Sequence, residues 1–348
     1  MKRCTNCILP ETTPNIEFDS HGVCNFCRDH QPLITPKDRS LEALLEQYPG
    51  EGDYDCILGL SGGRDSSYAL YLLTQVYKKK VLAVHYQSPL STEQGTNNAV
   101  KIAEAFDTEL MIITDKNDLH RKTFRNNFVA YVKKPSIAMV SMMCVACKVK
   151  WKEIYAIAKK HKVQLILAAS NPYEATDFKM GFQGIKPHDK HIYIRRIITG
   201  LKEVFKNPRY LNKDTLMTTV LAFVFIDTKS PASRFLYPKQ KKADIFYYTD
   251  WDEKTVVNTI TKYGWEKPAD EKGSWRFDCA VGKVKDYIYF TNYGFTEKDD
   301  LYSKLIRDRK MSREEAMGRI KHENVVDVDC VRHCMGVCGV SMEDLSSI

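Results

Sequence analysis

The 348-residue sequence lacks any apolar run long enough to span a bilayer. Its longest apolar stretch, Leu216 to Ile226, is too short and contains two threonines, so we interpret it as a buried element. No secretory signal is recognisable, because no apolar segment follows the charges of Lys2 and Arg3. Internal repeats and low-complexity tracts are lacking as well. These absences predict a cytoplasmic protein that has no membrane partner.

The amino-acid composition further narrows the class of protein and the kinds of partner. Hydrophobic residues make up 43% of the chain and charged residues 28%, which is typical of a globular protein with room for two or three domains. In a reducing compartment, eleven cysteines favour metal binding or catalysis over disulfides. The net charge of +8 is compatible with nucleic acid, an anionic sugar or ATP as a partner. The basic clusters at 78–80 and 239–242 are, taken singly, typical of solvated surface.

The most informative segment is residues 53–67, DYDCILGLSGGRDSS. An apolar run from Cys56 to Leu60 ends in the polar, glycine-rich residues 61–67, and an apolar helix-forming segment follows directly. This order predicts a strand, a tight turn and a helix N-terminus. The free backbone N–H groups of a helix N-terminus attract anions.

The residue types in this turn suit a phosphate site. Gly62 and Gly63 let the backbone close around a phosphate, and Asp65 is placed to hold a magnesium ion. The turn matches neither the G-x-G-x-x-G fingerprint nor the Gly-Lys-Ser/Thr loop. It resembles the SGGxDS loop of the PP-loop ATP pyrophosphatases, which cleave ATP to AMP and pyrophosphate; the alternative is a serine-rich helix cap. Hydroxyl donors are supplied by Ser61, Ser66 and Ser67.

Two Cys-x-x-Cys knuckles lie within residues 1–30. Their spacing supplies four thiolates that can close a tetrahedron around zinc, and residues 19–22 between them predict a hairpin turn, so the segment is interpreted as a zinc ribbon. An iron centre and four free thiols are the alternatives, while His21 and His30 are interpreted as bystanders. The expected ligands are Cys4, Cys7, Cys24 and Cys27.

From residue 54 onward, strand patterns alternate with helix patterns, which predicts a parallel sheet covered on both faces. The predicted strands are 56–60, 81–86, 109–114 and 163–169, with a last one at 243–248. The predicted helices are 40–48, 65–77, 97–106 with a Thr96-Asn97 cap, and 150–160, and two more open at 249–253 and 312–315.

The carboxyl ends of the predicted strands carry polar residues. Ligands of parallel sheets bind beyond these ends, so we expect Ser61, His85 and Ser170-Asn171 to converge on one ATP pocket. His85 is a candidate for adenosine contact. The alternative is that it caps a turn, as histidines at strand ends commonly do.

A second set of cysteines includes Cys144 and Cys147, a Cys-x-x-Cys pair just before a helix, and the distant Cys279. Such thiols can bind metal, exchange disulfides or carry sulfur, and three of them suit a 4Fe-4S cluster with one open iron. The alternative is partly buried thiols without a ligand. A third set, Cys330, Cys334 and Cys338, falls on one helical face and is interpreted as core. Trp251, Trp265, Trp275 and residues 287–290 are likewise interpreted as core.

Taken together, the ribbon, the loop at 53–68 and the central Cys-x-x-Cys resemble the N-acetyl sugar amidotransferases of bacterial surface-polysaccharide (lipopolysaccharide) biosynthesis. The resemblance extends to residues 247–264, 292–295 and 311–316, and so covers nearly the whole chain.

This resemblance implies an α/β PP-loop fold, HUP-like or adenine nucleotide alpha hydrolase-like, in which helices cover both faces of a parallel sheet. The implied domains are a zinc ribbon at 1–35, the PP-loop ATP pyrophosphatase domain at 51–250, and a mainly helical substrate or partner region at 251–348.

The resemblance also implies a reaction. ATP adenylates the amide oxygen of an N-acetylated sugar or nucleotide sugar and releases pyrophosphate, and ammonia then displaces AMP to leave an acetamidino group. A separate glutaminase partner would supply the ammonia through a cyclase-like barrel. ATP, magnesium and zinc are the expected cofactors. The pyrophosphate would be bound by Ser61, Gly62, Gly63, Asp65, Ser66 and Ser67.

One departure concerns the loop after the fourth strand. The family usually has Gly-Glu-Asn there, whereas this chain has Ala169-Ser170-Asn171. Glu174 is a candidate for the displaced carboxylate.

A PP-loop sulfur transferase is the competing interpretation. Some enzymes that thiolate tRNA combine zinc knuckles, an SGGxDS loop and a Cys-x-x-Cys with a distant third cysteine, an outline that Cys144, Cys147 and Cys279 fit. Nucleic acid would be a partner only in this case. A non-enzymatic binding module is disfavoured by the intact loop.

Overall fold

The computed structural model describes residues 1–32, 40–176, 178–186, 189, 191–225, 231–269, 271–325 and 328–340. The predicted domain limits at residues 35 and 348 lie outside these ranges, as does Ile226 at the end of the longest apolar stretch.

A five-stranded, all-parallel sheet forms the centre of the chain, with strand order β3-β2-β1-β4-β5. Because the order runs one way from β1 to β3 and the other way from β4 to β5, the switch point lies between β1 and β4, where ligands of such sheets bind. The strands are β1 (Cys56–Gly59), β2 (Val81–Gln87), β3 (Glu109–Thr114), β4 (Leu165–Ala168) and β5 (Lys241–Asp244).

The central strands are buried on both faces, as their continuous apolar runs predict. Ile57 and Ile166 point into the core on one face of the sheet, and Leu58 and Leu167 into the core on the other. The edge strand β3 is more exposed, with alternating half-buried and exposed residues. The predicted parallel sheet is therefore confirmed.

Helices surround the sheet and continue beyond it. Those up to the end of the sheet are α1 (Asn25–Arg28), α2 (Leu41–Gln47), α3 (Arg64–Tyr71), α4 (Glu93–Ala105), α5 (Leu119–Lys133), α6 (Lys150–Lys160), α7 (Phe178–Phe182), α8 (Ile192–Lys206), α9 (Lys213–Phe225) and α10 (Pro231–Leu236). Those that follow are α11 (Glu253–Thr261), α12 (Ala280–Tyr293), α13 (Glu297–Arg307), α14 (Arg313–Glu323) and α15 (Val328–Val337).

The two faces of the sheet are covered by different helices. Leu70 of α3, Ile102 of α4 and Val256 of α11 share one core with β1 and β4. On the opposite face, Ile154 of α6 and Phe225 of α9 complete the second core. Helices on both faces, as predicted, leave the carboxyl edge of the sheet as the open side.

Two predicted boundaries are wrong. The helix predicted to start at Asn97 begins at Glu93, because the Thr92 hydroxyl accepts a hydrogen bond from the N–H of Gly95 and caps the helix one turn earlier. The last strand, predicted at 243–248, runs from Lys241 to Asp244, and a 3₁₀ turn over Ile245–Tyr247 follows it.

The C-terminal region is helical, as predicted, and α12 and α15 share a further core with α5. Phe124 of α5 packs there with Val284 of α12 and Val331 of α15. Cys334 and Cys338 are buried in the same cluster, so their interpretation as core residues is confirmed, and Cys330 is half-buried. Within the residues that the structure describes, no helix combines the length and apolarity that crossing a membrane requires.

We expect Gly62→Ala to destabilise the protein by about 3 kcal/mol. Gly62 has a φ of +79°, and a Cβ atom there would lie 1.7 Å from the carbonyl oxygen of Gly95 in α4, so the loop and α4 would have to separate. Gly200→Ala in α8 is the control, because nothing lies within 4 Å of its added Cβ. Urea unfolding measures both variants, and equal stabilities would contradict this close approach.

Candidate nucleotide site and metal centre

The loop between β1 and α3 is held in shape by its own side chains. The Ser66 hydroxyl accepts a hydrogen bond from the N–H of Ser61 at 3.1 Å and donates to the carbonyl of Gly63 at 3.1 Å. The Ser61 hydroxyl lies 3.1 Å from that of Ser66. These two serines therefore shape the backbone around the N-terminus of α3, where Gly63 is the N-cap residue.

Three buried side chains near the switch point have donor atoms without a hydrogen-bond partner. They are Ser67 Oγ and Arg64 Nη2 in the first turn of α3, and Asn171 Nδ2 just after β4. All three residues are at most 3% exposed. Because buried polar groups are almost always paired, three such donors at one sheet edge fit a ligand rich in acceptor oxygens, such as a polyphosphate.

The Arg64 guanidinium is the best-anchored group of the loop. Its Nη1 atom donates to Glu253 Oε1 at 2.5 Å and to Ser274 Oγ at 2.8 Å. Arg319 of α14 donates to the same Glu253 carboxylate at 2.7 and 3.1 Å. Although burial opposes ionisation, Arg64 and Arg319 hold the pKa of Glu253 at about 2. The ion pair is therefore intact at any physiological pH.

Asp65 and Glu174 meet beside this arginine. Asp65 Oδ1 accepts hydrogen bonds from Trp251 Nε1 at 2.9 Å and from Arg64 Nε at 3.3 Å. Burial and the negative charge of Asp65 raise the pKa of Glu174 to about 8. Glu174 is thus mainly protonated at neutral pH and can share its proton with Asp65. Two adjacent carboxyl groups form an oxygen donor set that suits Mg²⁺.

Three tryptophans, predicted only as core, also line the site. Each is at most 5% exposed, and each indole N–H donates to a group of the site. Trp251 donates to Asp65, Trp265 to the carbonyl of Gly62 at 3.0 Å, and Trp275 to Glu174 at 2.5 Å. Sequence reasoning missed this role because no local pattern connects residues so far apart along the chain.

His85 lies in β2 with both ring nitrogens occupied. Nδ1 lies 2.9 Å from the carbonyl of Leu60, and Nε2 lies 3.3 Å from the Thr96 hydroxyl. Burial lowers the pKa of His85, so the ring is neutral. These contacts correspond to the capping alternative, since His85 buttresses the strand that leads into the loop.

Asp278 is a further carboxylate that sequence reasoning did not single out. Its Oδ2 atom lies 3.4 Å from the position that a Cβ atom on Gly63 would take, and its carbonyl accepts from the N–H of Thr92. The segment before α12 therefore reaches the loop between β1 and α3. The only sequence signal for Asp278 is its position next to Cys279.

The central cysteines are not among the groups of potential metal ligands found in the described part of the chain. Cys147 Sγ donates to the carbonyl of Cys144 at 3.0 Å, and Cys279 occupies the N-cap position of α12 without a side-chain capping bond. Burial raises the pKa of both Cys147 and Cys279, so both are protonated thiols at neutral pH. Among the described residues, the only group of three or more potential ligands lies in the N-terminal ribbon.

The ribbon cysteines have the geometry of a tetrahedral centre. Their sulfur atoms all lie within 4.8 Å of one another, with Cys4 and Cys27 3.9 Å apart and Cys7 and Cys24 3.8 Å apart. A regular tetrahedron with metal–sulfur bonds of about 2.3 Å has sulfur atoms about 3.8 Å apart. Four thiolates in this arrangement fit zinc or iron.

The ribbon contacts two of the C-terminal helices through hydrogen bonds and an ion pair. Arg313 of α14 donates to the carbonyls of Cys4 and Cys7, and Arg3 pairs with Asp299 of α13 at 2.6 Å. The candidate metal centre is therefore joined to α14, whose Arg319 holds the Glu253 carboxylate that binds Arg64. The two ribbon histidines take no part in the sulfur cluster, as predicted.

Two family models match the sequence. The NAD synthase model matches residues 38–184, which contain β1 to β4, the loop and Glu174. The model of the LPS biosynthesis protein WbpG-like, C-terminal domain matches residues 257–348, which contain Trp265, Trp275 and Arg319.

Individual proteins resemble the chain over most of its length. An uncharacterised protein of Methanocaldococcus jannaschii is 21% identical over 330 residues, 93% of this chain and 94% of that protein. Among solved structures, NMN synthetase from Francisella tularensis is 13% identical, with a TM-score of 0.38 over 88% of this chain and 91% of that one. The U34-tRNA thiolase NcsA from Methanococcus maripaludis, with its 4Fe-4S cluster, is 15% identical, with a TM-score of 0.36 over 95% and 91%.

We expect one tetrahedrally bound metal ion per chain, measured by elemental analysis. Cys24→Ser should lose the ion and lower the Tm by at least about 5 °C, since the ribbon has little core of its own. Cys330→Ser, which alters a half-buried cysteine of α15, should retain the ion. A metal-free Cys24→Ser protein with the wild-type Tm would contradict a structural role.

The raised pKa of Glu174 predicts a pH-dependent stability. A carboxyl group whose folded-state pKa lies above its unfolded value contributes stability that is full below the unfolded pKa and is lost as pH rises through about 8. The free energy of unfolding should therefore fall between pH 5 and 8 for this reason, and Glu174→Gln should remove that part of the slope. Urea unfolding across this range measures the difference. Parallel pH profiles of both proteins would contradict it.

Proposed function

We propose that the chain is a PP-loop ATP pyrophosphatase with a WbpG-like C-terminal domain, because the NAD synthase model matches residues 38–184 and the model of the LPS biosynthesis protein WbpG-like, C-terminal domain matches residues 257–348. From this premise we propose that it is an AMP-forming amidotransferase, which activates the amide oxygen of an N-acetylated sugar or nucleotide sugar with ATP and replaces that oxygen with ammonia.

One observation carries the proposal. The side-chain donors of Ser67, Arg64 and Asn171 that lack a hydrogen-bond partner lie at the switch point of the sheet, next to the N-terminus of α3. This set supports binding of an ATP polyphosphate, because each donor gains the acceptor it lacks. Donors aimed at the leaving pyrophosphate would also stabilise the charge that develops there.

The proposed reaction has two steps. The amide oxygen attacks the α-phosphorus of ATP, a P–O bond forms, and the bond to the β-phosphate oxygen breaks to release pyrophosphate. Ammonia then adds to the amide carbon, and the C–O bond to AMP breaks. The products are an acetamidinium group, AMP, pyrophosphate and one proton released to solvent. An amide oxygen is a poor leaving group, and joining it to AMP makes it a good one.

Asp65 and Glu174 are proposed as the magnesium site. A bound Mg²⁺ would neutralise charge on the polyphosphate during its departure. Both carboxyl groups lie at the edge of the donor set, and Trp251 and Trp275 fix their orientation through hydrogen bonds. Ionisation of Glu174, which burial and the charge of Asp65 disfavour, would accompany metal binding.

The ribbon centre is proposed to hold zinc in a structural role, since it lies against α13 and α14 and offers four thiolates with no open position.

The source of ammonia is proposed to be a separate glutaminase, with a cyclase-like barrel between the two proteins. We propose that the reaction takes place in the cytoplasm.

A sulfur transferase is less well supported. That chemistry would use Cys144, Cys147 and Cys279, with a 4Fe-4S cluster or a persulfide. These thiols are not gathered into a ligand cluster in the described part of the chain, and burial keeps Cys147 and Cys279 protonated.

We expect Asp65→Asn to reduce AMP formation from ATP, ammonium and N-acetyl sugars by at least about 100-fold. The asparagine oxygen can still accept from Trp251, so the Tm should change little. Asp107→Asn, at an exposed position, is the control. AMP and acetamidino product are measured by mass spectrometry. Wild-type turnover in Asp65→Asn, or product formation with sulfide in place of ammonium, would refute the proposal.

A further inference from the structure

The exposed apolar surface of the chain is concentrated in α8 and α9. Among the described residues, nineteen large apolar or aromatic side chains are exposed, and ten of them lie between Ile194 and Phe223. Single exposed apolar residues are normal on a protein surface, whereas a concentration of this kind marks an interaction site. None of the residues of the candidate nucleotide site lies in this stretch, so the surface serves a different purpose.

Helix α8 turns an apolar stripe toward solvent. The stripe consists of Ile194, Ile197, Ile198, Leu201 and Phe205, which fall at positions i, i+3, i+4, i+7 and i+11 and therefore share one face of the helix. These residues are between 45% and 88% exposed, and Phe205 is the most exposed of them. The amphipathic helix of a globular protein normally turns such a face into the core.

Tertiary contacts on other sides of α8 hold the stripe in this outward orientation. Val204 packs with Met139 and Tyr210 in a small core. The Thr199 hydroxyl donates to the carbonyl of Gln183 at 3.1 Å. The helix is thus attached to the body of the chain, and the stripe is left without a partner among the described residues.

A row of cations runs beside the stripe. Arg195, Lys202 and Lys206 fall at i, i+7 and i+11, so they share a second face of α8, and all three are exposed. Residues 191–225 contain six lysines and arginines and two carboxylates, a net charge of +4, against +8 for the whole chain. This stretch therefore has half of the net charge of the chain in about a tenth of its length.

Helix α9 also exposes an apolar face. It contains most of the longest apolar stretch, which the sequence analysis interpreted as a buried element. Only one face of α9 is buried, with Thr218 and Phe225 in the interior, whereas Val220 is 53% and Phe223 58% exposed. That interpretation is therefore correct for one side of the helix only.

The two rows on α8 favour one kind of partner. A second copy of the chain would bring two basic faces together, because a two-fold interface uses the same surface on both copies. Like charges placed opposite each other oppose association. An anionic phospholipid surface matches both rows, since apolar side chains can enter the acyl boundary while arginine and lysine reach the head groups.

We propose that α8 is an interfacial helix that binds the chain to an anionic phospholipid membrane. Leu201 and Phe205 of the stripe enter the acyl boundary, and Arg195 and Lys202 contact the lipid phosphates. The helix lies in the plane of the membrane surface and does not cross it, which is consistent with the lack of a membrane-crossing helix among the described residues. The sequence-based expectation of no membrane partner rested on spanning segments, which this mode of binding does not need.

Flotation with lipid vesicles tests the binding. We expect the wild-type protein to bind vesicles of phosphatidylcholine that contain about a quarter phosphatidylglycerol at least about tenfold more tightly than vesicles of pure phosphatidylcholine. Salt at about 1 M, where the Debye length is about 3 Å, should weaken the binding to the anionic vesicles. Equal affinity for both kinds of vesicle, or no binding to either, overturns the proposal.

Variants of the two rows test each contribution. Leu201→Gln and Phe205→Gln should each lower the affinity for the anionic vesicles by at least about tenfold, because a large apolar contact is lost. Arg195→Gln and Lys202→Gln should each lower it by about fivefold, through loss of one cation near the surface. All four residues are exposed, so the Tm should stay at the wild-type value. Wild-type affinity in the Phe205 variant overturns the proposal.

Two controls change the same residue types elsewhere. Val76→Gln alters an apolar residue that is 50% exposed, and Lys254→Gln alters a lysine of α11 whose side chain is 78% exposed. Both variants should bind the anionic vesicles as tightly as the wild type. A loss in either control as large as that in the α8 variants would show that binding is not specific to α8.

The other possible occupants of this surface give different results. If α8 joins two copies of the chain, sedimentation will show a dimer that Phe205→Gln converts to a monomer, and the vesicles will not be bound. If α8 receives an acidic protein, the wild type will be a monomer that binds neither kind of vesicle. Either result overturns the membrane proposal and leaves the proposed reaction unaffected, since the residues of that site lie outside α8.

Discussion

A buried arginine at the start of α3 sets the main constraint on this structure. Arg64 is 2% exposed, and a guanidinium in such a place is tolerated only if a carboxylate meets it. That carboxylate, Glu253, comes from α11, and a second arginine from α14 holds it in turn. Breaking a buried pair by removing one partner costs about 3–5 kcal/mol. The phosphate loop, the sheet and the C-terminal helices are therefore energetically one unit.

The C-terminal region completes the nucleotide site as well as stabilising it. Trp265 and Trp275 follow α11 in the chain, yet their indole N–H groups reach the loop carbonyl and Glu174. The same segment supplies Asp278. A loop of this kind, taken alone, offers backbone donors and hydroxyls, and here the second half of the chain adds the indole donors and the carboxylate of Glu253. The candidate nucleotide site is therefore formed by both halves of the chain.

The N-terminal ribbon is joined to the rest of the chain by hydrogen bonds and an ion pair to α13 and α14. Its four cysteines enclose a site for one metal ion, and its backbone carbonyls accept from Arg313 of α14. Because the ribbon has only a small core of its own, a bound metal ion would supply much of its folding energy, while its docking depends on charged contacts with α13 and α14. The ribbon is thereby linked to α14, whose Arg319 holds Glu253.

The sequence alone determined the features that depend on neighbours in the chain. The strand–helix alternation, the Gly62-Gly63 turn and the two Cys-x-x-Cys knuckles are local patterns, since hydrophobic period, glycine spacing and ligand spacing act over a few residues. The sequence predicted the start of α4 at Asn97, after a Thr96-Asn97 cap, whereas in the structure Thr92 caps the helix one turn earlier. Only the tertiary structure decided which carboxylate meets Arg64, which indoles bind the loop and which face of α8 points to solvent. Those partners lie far apart along the chain, and their contacts arise from the packing of the helices around the sheet, which no local pattern encodes.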